Sequence, residues 1–130
     1  MTPILETDGV TKIFERRGGG EVVAVDNVTF SIHEGRSTMV AIAGESGSGK
    51  STLALLLMGQ HDPTGGVVRY LGKDLQKMTA DEKAQLRREI QPIFQDPYGA
   101  YNPFYKVDHV LEVPIKHYNL ASTKEEAQDL

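Results

Sequence analysis

The stretch that most constrains this chain is an octapeptide that matches the phosphate-binding pattern GxxxxGK[ST] at every fixed position. Its residues are, in order, Gly44, Glu45, Ser46, Gly47, Ser48, Gly49, Lys50 and Ser51. The glycines permit backbone conformations in which successive N–H groups converge into an anion-binding nest. Lys50 is placed to reach the outer phosphates of a nucleotide, and the Ser51 hydroxyl is placed to ligate Mg²⁺. The loop therefore predicts a binding site for a magnesium-bound nucleotide.

The segments on either side of the loop match the structural context that this motif requires. The run from Thr38 to Ala43 is almost entirely apolar and does not alternate, which is typical of a parallel strand buried on both faces. The run from Thr52 to Met58 is rich in apolar helix formers, so it predicts a buried helix whose N-terminus points at the phosphates. A chance glycine-rich turn would lack these flanks, and we therefore interpret the loop as functional.

The rest of the chain alternates between short strands and helices. The segments from Leu5 to Phe14 and from Val22 to Ile32 predict two strands of an antiparallel layer, joined by a glycine-rich loop. Beyond the first helix, the pattern predicts a strand at 67–71, a solvated helix capped by Thr79 and Glu82, a brief strand at 90–94 and a helix at 107–118.

Composition excludes several classes of protein. The net charge of −4 and the pI near 5.5 argue against a nucleic-acid-binding surface. The chain has no cysteine, which excludes disulfides and thiolate metal sites, and we interpret its four histidines (His33, His61, His109 and His117) as surface or packing residues. No secretion signal is visible, and no apolar run approaches the roughly 20 residues that span a bilayer.

Three segments together resemble one known family. They are the phosphate-binding loop from Gly44 to Ser51, called the P-loop below, the run from Val23 to Phe30, and the run from Ile93 to Tyr98. In this combination the chain resembles the N-terminal part of an ABC transporter ATPase, most of all the ATPases of oligopeptide, dipeptide and nickel importers. The resemblance extends from about Leu5 to Pro114. It implies an α/β fold with a P-loop NTPase core of parallel strands and helices plus an N-terminal antiparallel β layer. The chain is then an incomplete ATPase domain, with the antiparallel layer at about 4–32, the core at about 37–95 and the start of a helical region at about 104–130.

The resemblance also implies roles for individual residues. Phe14 matches the aromatic residue that stacks on adenine, and Val25 matches the apolar residue on the same side. The resemblance implies that the loop from Gly44 to Ser51, together with Thr52, binds the phosphates and Mg²⁺ of ATP. Gln95 matches the glutamine that contacts Mg²⁺ and the attacking water, so Lys50 and Gln95 are the implied catalytic residues, and Ser51 and Gln95 the implied metal contacts.

The same resemblance implies partners and a location. The segment from Asp96 to Phe104 resembles the surface that meets the transmembrane permease, and the complete ATPase pairs with a second ATPase subunit. We therefore expect a cytoplasmic protein, peripheral on the inner face of the membrane, that takes part in the uptake of peptides or similar solutes. No nucleic-acid partner is expected.

Two motifs of the family do not occur in these 130 residues: an apolar run ending in Asp-Glu, and a serine-glycine-rich signature. Because phosphoryl transfer depends on positioning and charge stabilisation, we expect the chain alone to bind Mg-ATP but hydrolyse it poorly. Its exposed strand edges also predict marginal stability or self-association.

Three alternatives stay open on the sequence. The chain could be a stand-alone nucleotide-binding interaction module without catalysis, or a small P-loop kinase. A kinase is disfavoured because it needs a lid rich in arginine, and the only adjacent arginine pair after the P-loop, Arg87 and Arg88, lies on the helix predicted to be solvated. A non-transport ABC protein acting on DNA is disfavoured by the acidic charge balance.

Overall fold

The structure, a computed structural model, describes residues 3–33, 35, 39–93, 96, 102 and 104–128. The chain divides into two compact units, Met1–Pro92 and Ile93–Leu130. The first unit contains a four-stranded sheet and two α-helices, and the second contains two further helices.

The sheet of the first unit is antiparallel throughout, with the strand order β2-β1-β3-β4. The strands are β1 (Pro3–Glu15), β2 (Glu21–His33), β3 (Gly65–Tyr70) and β4 (Lys73–Asp74). The two predicted N-terminal strands are confirmed, and a backbone bond from Arg16 N to Gly20 O (2.9 Å) closes the loop between them. β1 lies between β2 and β3, so it is the strand on which both neighbours depend.

Helix α1 (Lys50–Leu57) begins within the P-loop and packs its apolar side chains on the sheet. Leu53 and Leu56 are buried, and Leu56 is fully enclosed. Together with side chains of the sheet and of residues 75–86 they form the core, whose other members are Val10, Val25, Val68, Leu75 and Leu86. The prediction of a buried helix directly after the loop is confirmed.

The strand predicted before the P-loop is absent from the part of the run that the structure describes. Residues 39–43 have no strand pairing, and the side chains of Met39, Val40 and Ile42 are exposed, Met39 to 97%. A strand forms only where neighbouring strands satisfy its backbone groups. None of the four strands of the sheet runs alongside this segment.

The strand predicted at 90–94 is likewise absent from residues 90–93, which have no strand partner. Pro92 also has no backbone N–H to donate to a neighbouring strand. Phe94 lies outside the described residues.

Helix α2 (Ala80–Glu89) follows a short 3-10 turn (Leu75–Lys77) and is fastened to the sheet by two side-chain pairs. Thr79 and Glu82 form the predicted capping box, with Thr79 Oγ1 accepting from Glu82 N at 3.3 Å and Glu82 accepting from Thr79 N at 2.8 Å. Lys73 pairs with Glu82, and the Tyr70 hydroxyl donates to Glu89. The hydrogen bond to the Glu89 carboxylate raises the pKa of Tyr70 to about 12. The helix is thus solvated, as predicted, except for its buried Leu86.

The turn between β3 and β4 contains an unfavourable residue. Tyr70 pairs with Lys73, so Leu71 and Gly72 form a two-residue hairpin loop in which both φ angles are positive, at 49° and 78°. Asparagine tolerates this left-handed backbone far better than leucine does. We expect Leu71→Asn to raise the free energy of unfolding by about 1 kcal/mol, because Leu71 is exposed and its side chain contributes little burial. Urea unfolding measures this change. Leu71→Val should lower the free energy of unfolding, because a β-branched residue tolerates a positive φ poorly. A stabilising effect of valine would contradict the interpretation.

The second unit contains α3 (Val107–Tyr118) and α4 (Lys124–Gln128). The predicted helix at 107–118 is confirmed, and it continues through Pro114. Asn119 ends it in a left-handed conformation (φ 52°), and Thr123 Oγ1 accepts from Glu126 N at 3.2 Å at the start of α4. In the described parts of the chain, no helix has both the length and the apolar character needed to cross a membrane.

Candidate functional site

Gly49, the last glycine of the P-loop, lies against strand β2. A Cβ at position 49 would lie 1.9 Å from the carbonyl oxygen of Ala24, a separation that no side chain can accept. Gly49 is also left-handed, at φ 90° and ψ 4°, and it is the residue that precedes α1. Gly47 is left-handed too (φ 80°), but a Cβ there would meet no atom within 4 Å. Gly49 is therefore required by close approach and by backbone conformation, and Gly47 by conformation alone.

The Lys50 side chain folds back over the loop that precedes it. Its ammonium Nζ donates to Gly44 O at 2.7 Å, to Glu45 O, and to Ser48 Oγ at 3.2 Å. The backbone of Ser48 also donates to Glu45 O at 3.2 Å, which closes the turn. The ammonium is thus held inside the loop by neutral oxygen acceptors, on an exposed surface where a more strongly charged acceptor can compete for it.

The first turn of α1 presents backbone donors at the same place. The first helical bond of this turn runs from Leu53 N to Gly49 O at 2.9 Å, so the amides of Lys50, Ser51 and Thr52 precede the helical bonding. The helix has no acidic residue in its first turn and no side-chain cap. An anion at this end would therefore meet unpaired N–H groups, the helix dipole and the Lys50 ammonium.

These residues fit a magnesium-bound nucleotide. Ser51 is exposed in the first turn of α1, next to Lys50, where its hydroxyl could contact a cation held by phosphate oxygens. Among the residues that the structure describes, no group of three or more His, Cys, Asp or Glu side chains could hold a metal ion.

The two residues predicted to contact the base lie on the neighbouring strands. Phe14 is near the end of β1, where it pairs with Val22 and is 37% exposed. Val25 is on β2 and only 6% exposed; its Cγ2 would lie 3.7 Å from a Cβ at position 49. The side chain of Val25 therefore packs in the core beside the P-loop. Its contact with a base stays a prediction, as does the stacking of Phe14.

Phe14 has two contacts that were not predicted from the sequence. The ammonium of Lys12 lies over its ring, 5.2 Å from the centroid, and the His61 ring meets it edge-on at 6.0 Å. Lys12 could have been found from its spacing, because residues i and i+2 of a strand share a face. His61 follows α1, and no sequence pattern places it beside β1.

The structure therefore brings the P-loop run and Val25 together, and it places Phe14 on the adjacent strand of the same sheet. Gln95 lies outside the described residues, so its predicted metal contact stays a prediction. Of the predicted permease surface, the structure describes Asp96, Asn102 and Phe104, with Asn102 Oδ1 accepting from Phe104 N at 3.0 Å. Phe104 is almost fully exposed.

Comparison with known proteins gives concordant matches. The family model described as ABC transporter matches residues 25–129. The chain is 42% identical over 108 residues to the dipeptide transport ATP-binding protein DppF of Escherichia coli, covering 83% of this chain and 31% of that protein. It is 40% identical over 106 residues to the oligopeptide transport ATP-binding protein OppF of Salmonella typhimurium, covering 82% and 31%. The chain thus spans about a third of the length of these curated relatives.

Among solved structures, the ATP-binding cassette MJ0796 matches in a dimeric post-hydrolysis state bound to ADP and Pi. The TM-score is 0.74 at 28% identity, covering 96% of this chain and 53% of that one. A second dimeric structure of the same cassette matches with a TM-score of 0.75. The predicted fold class, part of an ABC ATPase domain, is confirmed, and so is the resemblance to the ATPases of peptide importers. This chain belongs to the ABC transporter family.

Proposed function

We propose that this chain is the nucleotide-binding part of an ATP-binding subunit of an ABC importer, in which ATP binding and hydrolysis drive the uptake of peptides or similar solutes. The observation that carries the proposal is the P-loop, where Gly49 approaches β2 too closely for any side chain and Lys50 crosses the loop. The relatives named for oligopeptide and dipeptide transport support the solute class.

In this proposal the residues of the loop divide the work of binding ATP. The amides of Lys50, Ser51 and Thr52 donate to the phosphates, and the Lys50 ammonium leaves Gly44 O and Glu45 O to contact the outer phosphate oxygens. A bound Mg²⁺ would supply positive charge that offsets the charge of the phosphates. Ser51 supplies a hydroxyl to that ion, and the exposed part of Phe14 stacks on the base.

Hydrolysis requires a water oxygen to attack the γ-phosphorus while the bond to the bridging oxygen breaks, releasing ADP and inorganic phosphate. We propose that Gln95 orients this water and contacts the metal. A neutral amide can orient water by hydrogen bonding but is too weak a base to accept its proton. We therefore expect the isolated 130-residue chain to turn over slowly.

Partners follow from the same proposal. In the transporter the chain meets the transmembrane permease through the segment from Asp96 to Phe104 and pairs with a second ATPase subunit. This arrangement places it in the cytoplasm, peripheral on the inner face of the membrane. The exposed Phe104 is the kind of aromatic side chain that is enriched at protein interfaces, which supports the assignment of this segment.

Calorimetric titration of Mg-ATP into the chain tests the proposal. Lys50→Ala removes the charge-assisted hydrogen bonds to the phosphates, so we expect affinity to fall by about 30-fold or more. Lys77→Ala is the matched control, because Lys77 lies on the 3-10 turn after β4 and pairs with Asp74. It should bind as the wild type does. Equal affinity of the wild type and Lys50→Ala would refute the P-loop assignment.

A further inference from the structure

The Phe14 ring is contacted by two side chains before any ligand binds. The Lys12 ammonium lies 5.2 Å from the ring centroid, over the ring. The His61 ring meets it edge-on, with centroids 6.0 Å apart and an interplanar angle of 75°. Phe14 nevertheless stays 37% exposed. Part of the aromatic surface is therefore occupied by protein, and the rest is open.

Lys12 is held in this position by a contact beyond the ring. Its Nζ donates to the carbonyl oxygen of Asp62 at 2.7 Å. Lys12 and Phe14 are two residues apart on β1, so their side chains leave the same face of the sheet. The Lys12 side chain is consequently fixed by β1 at its base and by the segment after α1 at its ammonium.

The segment that carries His61 is tied to β1 by its own hydrogen bonds. Thr64 N donates to Thr11 O at 2.8 Å, and Ile13 N donates to Thr64 Oγ1 at 3.0 Å. At the other end, His61 N donates to Leu55 O at 3.2 Å, within the last turn of α1. The segment that follows α1, the helix that begins at the P-loop, therefore carries the residue that contacts Phe14.

A cation over an aromatic ring changes what the ring can bind. The face of a ring is electronegative, so two stacked rings repel each other where their faces overlap. The ammonium of Lys12 is attracted to that electron density and offsets it, which favours stacking of an electron-rich purine on the open part of Phe14. The His61 ring restricts rotation of Phe14, and a preordered ring loses less conformational freedom when a base stacks on it.

We propose that Lys12 and His61 are positioning residues for the nucleotide base, and that with Phe14 they form a preformed base platform. The inference rests on the proposed function, since it requires that the P-loop bind the phosphates of the same nucleotide. The platform should raise affinity for nucleotides and leave affinity for phosphate chains without a base unchanged.

The test compares two ligands in calorimetric titrations with Mg²⁺ present: ATP, and inorganic tripolyphosphate, which has the phosphates and no base. Lys12→Met keeps the apolar stem and removes the charge, and His61→Ala removes the ring contact. We expect each variant to weaken ATP binding by about twofold to fivefold, the range of an exposed cation–π or aromatic contact, with tripolyphosphate binding unchanged. Lys12→Arg should bind ATP as the wild type does.

Lys77→Met is the matched control for loss of a lysine charge, and unchanged tripolyphosphate binding shows that each variant is folded. Equal weakening for ATP and tripolyphosphate would overturn the proposal, because Lys12 would then act on the phosphates. Unchanged ATP binding in both variants would also overturn it while leaving the proposed function intact. A wild-type chain that binds neither ligand would overturn the platform and the proposed function together.

Discussion

Gly49→Ala is expected to lower the free energy of unfolding of the first unit by about 4 kcal/mol, the sum of left-handed strain and a steric clash. The added Cβ would lie 1.9 Å from Ala24 O and 3.0 Å from Ala24 C. These are backbone atoms of β2, which cannot turn aside as a flexible side chain can. The P-loop and β2 would have to separate, which also moves the start of α1.

Gly47→Ala is the matched control for this substitution. Gly47 has a similar positive φ, 80° against 90°, but a Cβ there has no neighbour within 4 Å. It should lose only the conformational part, about 1 kcal/mol. Urea unfolding of the two variants, followed by circular dichroism, measures the difference. Similar losses in both would mean that the close approach to Ala24 does not limit this position.

Leu56→Ala is expected to lower the free energy of unfolding by about 3 kcal/mol, the cost of losing buried methyl groups and leaving a cavity. Leu56 is fully buried in α1 and is one of the largest enclosed side chains of the described chain. It belongs to the cluster that joins the helix to β1, β2 and β3, through Val10, Val25 and Val68. Its loss should therefore weaken the attachment of the P-loop helix to the whole sheet.

Leu55→Ala offers a comparison within the same helix. Leu55 is half-buried and is not among the side chains packed against the core cluster. Its truncation should cost less than about 1.5 kcal/mol. Both variants replace leucine by alanine in the same helix, so the change in helix propensity is the same in each. The difference between their free energies of unfolding, measured by denaturant titration, therefore reports the difference in burial. A loss at Leu55 as large as at Leu56 would contradict the assigned core.

Local features of this protein could be predicted from the sequence because they depend on neighbouring residues. The strands β1 and β2, the apolar helix after the loop and the Thr79–Glu82 capping box each reflect short-range geometry and are confirmed. The P-loop pattern identified Gly47, Gly49 and Lys50 as the residues of interest. Their roles toward ATP stay predictions, as does that of Gln95.

Other features depend on residues far apart in the chain, and only the tertiary structure decided them. The apolar run at 39–43 reads as a buried strand, yet strand formation requires partner strands, and the sheet of the described residues places none beside it. The need for glycine at 49 has two causes, and the close approach of Ala24 is visible only once β2 is in place. His61 contacts Phe14 across 47 positions of sequence because α1 returns the chain to β1. Periodicity and helix capping thus depend on residues that are close together in the sequence. Strand pairing and side-chain contacts between distant segments depend instead on how the chain packs.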